Sequence, residues 1–205
     1  VCGGKPIDRE SFSTRKTLPP VARNSLNPPT IYTTSFCTSE TTEETNVIGI
    51  LEGKILTDHL KENIAIVNGD KLPDISRDLL RVTVIERHGK NGNVSNGFVK
   101  GFGLKSGAIA STVCHDHHNI ISVGVNYDDM ELAIKHLSKI EGGFVIASEG
   151  KVLAELALPI AGLISMQSFE LVQSQLSKRR RIAKKLGVTL EEPFLQLAFL
   201  ALPVI

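Results

Sequence analysis

The densest reactive stretch of the chain is Cys114-His115-Asp116-His117-His118-Asn119, which places three of the six histidines beside a carboxylate. Imidazole and carboxylate groups at this density can bind a metal, move protons or hold a polar ligand. His115 and His117 form an H-x-H pair, and on a strand that spacing turns both rings to one side. A catalytic metal needs three or more protein ligands, however. The only histidine downstream is His136, which falls in a predicted helix. The cluster therefore reads as a hydrogen-bonded knot or a ligand-contacting site, and no metal ligand is assigned to it.

Glu86-Arg87-His88 is the second such group, set at a predicted strand end just before the turn formers of 89–92. An acid, a base and an imidazole placed there can meet the first cluster across a sheet. The simpler reading is an exposed strand terminus carrying charge for solubility.

Two other motifs lose their sharper interpretations. Residues 97–103 are glycine-rich but contain no GxGxxG and no GK[ST] ending, and they lead into more strand instead of a helix N-terminus. Lys178-Arg179-Arg180-Arg181 with Lys184-Lys185 resembles a nucleic-acid patch. Leu171, Leu176, Ile182, Ala183 and Leu186 around it have helical spacing, so the cations read as a solvated helix face. The formal net charge of +1 agrees with that, and a nucleic-acid partner is not expected. With Trp absent and aromatics at 5%, no base-stacking platform is expected either. Cys2, Cys37 and Cys114 are widely spaced, which suits a reducing cytoplasm. No apolar run reaches the ~18 residues of a membrane span.

These groups must be positioned by short elements. Residues 1–46 hold most of the prolines, including Pro19-Pro20 and Pro28-Pro29, and read as an extended connector or the end of an upstream region. From Val47 onward, strands are predicted at 47–51, 55–56, 64–67 and 80–86, the last half-buried by its alternation. Further strands are predicted at 97–103, 107–114 and 120–125. The small side chains of 107–111 require something to approach that backbone closely. Asp128-Asp129 is predicted to cap a helix through Met130, Ala133, Ile134 and Leu137, ended by Gly142-Gly143. A hairpin over 144–156, a helix over 168–186 stopped by Gly187, and a short helix opened by Pro193 complete the pattern. The expected class is α+β, a mixed sheet with two or three helices. The apolar ends, Val1 and Leu202-Pro203-Val204-Ile205, suggest a piece of a longer protein, truncated at its C-terminal end.

Taken together, several motifs resemble the C-terminal domain of bacterial-type adenine deaminases. They are the run 96–113 (NGFVKGFGLKSGAIASTV), His115-Asp116-His117-His118-Asn119-Ile120-Ile121, Val84-Ile85-Glu86-Arg87-His88, Asp128-Asp129-Met130, residues 150–156 and 158–163, Pro193-Phe194 and residues 199–205. The resemblance covers 47–205 in family order. His117 stands where Ser is usual and Cys114 where Ala is usual. The resemblance implies an amidohydrolase-superfamily enzyme whose metal-binding barrel precedes this region. It would convert adenine and water to hypoxanthine and ammonia in purine salvage. A metal-activated water attacks the ring carbon bearing the amino group, and a carboxylate manages the protons. Manganese or iron is the implied cofactor, held upstream and not by this chain. A homo-oligomer is the implied assembly. His115, Asp116, His118 and Asn119, with Glu86, Arg87 and His88, are then candidates for supporting the substrate pocket or a subunit interface. The competing expectation is an assembly module without a part in the chemistry.

Overall fold

The structure, a computed structural model, describes residue 4, residues 21–38 and residues 41–202. Cys2, the Pro19-Pro20 pair and residues 203–205 lie outside the described residues.

Among the described residues, ten strands carry the fold: β1 (Glu44–Ile50), β2 (Thr57–Asn63), β3 (Ile66–Val67), β4 (Asp70–Lys71), β5 (Leu79–Ile85), β6 (Val94–Lys100), β7 (Ala108–Ser111), β8 (Ile120–Gly124), β9 (Gly143–Ser148) and β10 (Lys151–Ala157). Three α-helices accompany them: α1 (Tyr127–Lys139), α2 (Phe169–Lys185) and α3 (Pro193–Phe199). Eight strands form one sheet in the order β10-β9-β7-β8-β5-β6-β1-β2, and β3 pairs β4 separately. β1 runs parallel to β6 while the other neighbours are antiparallel, so the sheet is mixed and the class is α+β.

Alternation along the central strands builds a core on each face. Ile109, Ile121, Val123 and Ile146 point to the side covered by α2 and α3, where Ala183, Phe194 and Leu197 meet them. Ala108, Ala110, Ile120, Val145 and Ala147 point to the other side, under Met130, Ala133, Ile134 and Leu137 of α1. Each fully buried Leu or Ile contributes about 1.5–3 kcal/mol. Small side chains on β7 let α1 approach, as the sequence requires. At Gly124 the approach is closest, since a Cβ there would lie 2.4 Å from Met130 Cγ. Residues 21–38 belong to the same body, with Ile31 and Phe36 buried in the core beneath α1.

Several elements depart from expectation. The predicted strand at 55–56 is a loop with both side chains exposed, and the strand follows it as β2. Charged β2 is a sheet edge, where Asp58, Lys61 and Glu62 discourage further pairing. β5 is buried on both faces instead of one, because α1 and the 31–36 segment cover its second side. Asn126, not Asp128 or Asp129, caps α1, its Oδ1 accepting from Asp129 N at 2.8 Å. The basic run lies on α2 as read, except that Arg179 is fully buried, its Nη1 donating to Glu155 O at 2.6 Å.

Candidate functional site

The structure brings the two polar groups of the sequence together at one end of the sheet. β5 ends at Ile85, so Glu86-Arg87-His88 leaves the sheet beside the β7–β8 connection that holds residues 114–119. His115, Asp116 and His117 do not continue a strand. They form a turn, with His117 N donating to His115 O at 2.9 Å and positive φ at Asp116 and His118. The H-x-H pair therefore has no common face. His115 is exposed and stacks on Phe199 of α3, with centroids 5.5 Å apart. His117 Nδ1 accepts from Asn119 N at 3.0 Å, which leaves Nε2 to donate to Ala201 O. That pairing assigns the donor role to Nε2 and the acceptor role to Nδ1.

Arg87 is the centre of the arrangement. Its buried guanidinium donates through Nε to His118 O and through Nη2 to Ala161 O at 3.0 Å. Gly162, at φ +70°, makes the approach possible, because a Cβ there would lie 2.5 Å from Arg87 Nη1. Arg87 O accepts from Asn27 N at 2.7 Å, and Asn27 bridges His88 in parallel. The 21–29 segment is thus tied to the same end of the sheet. His88 Nε2 donates to His117 O at 2.8 Å.

Glu86 accepts the backbone N–H groups of His88, Lys90, Asn91 and Gly92, closing the turn after β5. Burial pushes its carboxyl pKa up, but those four donors outweigh it and hold the group below the usual range. Burial also lowers the His118 pKa, helped by the neighbouring Arg87 cation, so His118 favours the neutral form. Cys114 is buried, which pushes its thiol up to about 12 and makes it a poor nucleophile or ligand. Among the described residues, Asn119 Oδ1 finds no hydrogen-bond partner although it is buried.

Chemically this is a clasp. Buried Glu86 and Arg87 and half-buried His117 spend their hydrogen bonds on backbone groups, while His88, His115 and Asp116 face outward. Among the described residues, no three His, Cys, Asp or Glu side chains come together as a metal would require. The donors present do not fit the manganese or iron that the resemblance implies. His136 lies apart, paired with Glu155 of β10.

A second polar network escaped sequence reasoning. Arg81 of β5 is fully buried, its Nη2 donating to Tyr127 Oη at 2.8 Å and to Asp70 Oδ1 at 3.3 Å. Tyr127 Oη donates to Asp70 Oδ2 at 2.6 Å, and the guanidinium lies over Phe98 at 4.2 Å. Among the described residues, Arg81 Nε and Nη1 have no hydrogen-bond partner. A cation flanked by Leu80 and Val82 was the available signal, but its partners lie 11 and 46 positions away.

Comparison with known proteins gives a consistent picture. Residues 54–205 match the family model described as the adenine deaminase C-terminal domain. The chain is 58% identical, over all 205 residues, to an adenine deaminase of Cereibacter sphaeroides, and covers 36% of that protein. It is 50% identical over 202 residues, 98% of its length, to adenine deaminases of Brucella anthropi and Brucella abortus, covering 36% and 35% of them. The chain thus spans little more than a third of the curated relatives it matches.

Proposed function

The chain belongs to the adenine deaminase C-terminal domain family, and from that premise we propose that it serves the hydrolytic deamination of adenine to hypoxanthine and ammonia as one part of a longer enzyme. The observation that carries this reading is the match along the whole chain to proteins named adenine deaminase, of which it forms only 36%. The rest of such an enzyme supplies the hydrolytic metal, manganese or iron, in an amidohydrolase barrel.

The clasp supports the reaction by position. Arg87, Glu86 and the 114–119 turn fix the 21–29 segment on the sheet end, and that segment is the one through which an upstream region approaches. His88, His115, Asp116 and His118 then stand at the junction with it, where they order the neighbouring substrate pocket. The cellular role that follows is purine salvage in the cytoplasm, by a homo-oligomer. No described helix is long and apolar enough to cross a membrane.

The test is direct. The full-length protein carrying this chain, supplied with manganese, is expected to release ammonia from adenine with hypoxanthine in equal amount. Guanine and cytosine are expected to give far less. Absence of adenine turnover in a folded, metal-loaded preparation would remove the reading.

A further inference from the structure

The fully buried anchors of α2 lie in its second half. Arg179 and Ala183 are buried there, and Ile182 and Leu186 pack on the core. The first turn and the approach to it have no such support: Ile164 is 58% exposed, Met166 55%, Phe169 76% and Leu171 47%. A helix start without tertiary packing is marginal in water. Exposed large apolar side chains that cluster along one stretch mark an interaction surface, whereas scattered ones do not.

The occupant follows from where the chain runs. Residues 21–26 lie along the base of this shelf. Ala22 O accepts from Ala161 N at 2.8 Å, and Arg23 Nη1 meets Met166 Sδ at 3.5 Å. Arg23 is held there by Glu141. Most of the length of the relatives lies outside the matched region, and the matched family is a C-terminal domain. The described fold is thus entered, at residues 21–23, beside Ala161 and Met166.

We propose that the shelf of residues 164–171 is the docking site for the upstream region of the same polypeptide, which presents an apolar surface to Met166, Phe169 and Leu171. The proposal rests on the reading of this chain as one part of a longer deaminase. Docking here, next to the Arg87 clasp, would set the angle between the two regions through two adjacent fixings.

The full-length protein tests it. A photo-crosslinking phenylalanine at Leu171 is expected to capture peptides upstream of residue 1 within the same molecule, as read by mass spectrometry on mixed ¹⁴N and ¹⁵N preparations. Met166→Asp with Phe169→Asp is expected to cut that yield by roughly tenfold, the scale of losing central apolar anchors, and to speed amide exchange over 164–172 in protein without the probe. Cross-links between isotopes would assign the shelf to a second copy and overturn the proposal. So would a yield no higher than that from the same probe at Ser177, together with unchanged exchange. Adenine turnover on the same preparations keeps the two claims separate. An inactive protein that cross-links retains the docking site and loses the function, and an active one without cross-links does the reverse.

Discussion

Replacing Asp70 by alanine is expected to destabilise the domain by about 3–5 kcal/mol, the range for breaking a buried ion pair by removing one partner. Arg81 has no solvent exposure, and Asp70 is the carboxylate it is paired with. Asp70 also accepts from Thr38 N at 2.7 Å and from the Tyr127 hydroxyl, so its loss frees three elements at once. Burial and the bond to Asp70 push the Tyr127 pKa up to about 12, which keeps the phenol a donor at every physiological pH. Urea denaturation at pH 7 measures the effect. Asp70→Ala combined with Arg81→Met should recover much of it, since the apolar side chain leaves no buried charge. Burial raises the Asp70 pKa, but the Thr38 and Tyr127 bonds and the Arg81 cation outweigh it and hold it below 3.8. Its contribution is therefore complete above the unfolded value and lost as pH falls through the folded one. The gap between wild type and variant should narrow below about pH 4. A loss under about 1 kcal/mol at pH 7 would show that the pair is not buried in solution.

Arg87→Ala is expected to cost about 3 kcal/mol, from two charge-assisted hydrogen bonds to carbonyls at about 1.5–3 kcal/mol each, less what water recovers. The variant leaves His118 O and Ala161 O without their donor. Arg87→Lys should not rescue it, because one ammonium cannot reach two carbonyls in the directions a planar fork does. The 21–29 segment, bonded to Arg87 O and bridged to His88, should loosen with it. Limited proteolysis should then cut there first. Rescue by lysine would mean that the charge matters and the fork does not.

The sequence made the helices legible because their information is local. Met130, Ala133, Ile134 and Leu137 repeat at three and four, and all four are buried under that one helix. Ser168 and Gly187 bracket α2 as their side-chain and backbone chemistry demands. β2 was missed because an edge strand needs no apolar face, and Thr57–Asn63 has almost none. Candidate residues on both sides of the clasp were identified, since density of polar side chains survives without knowing the fold. Their geometry was not: positive φ at Asp116 and His118 turns a supposed strand end into a loop. The Arg81 network was invisible for a different reason. Its members at 70, 81, 98 and 127 share no period, and only the sheet and α1 bring them together.

We propose that the polar residues of the clasp, His115 and His118 among them, support adenine turnover in the full-length protein without ligating the metal. Steady-state kinetics of full-length His115→Ala and His118→Ala, with metal content and melting temperature measured on the same samples, tests it most directly. The expected result is a fall in kcat of about tenfold or more, equivalent to roughly 1.4 kcal/mol of transition-state stabilisation, with metal stoichiometry kept and little change in melting temperature. Unchanged kinetics would make the clasp purely structural, and loss of bound metal would make it a ligand site; either result contradicts the account.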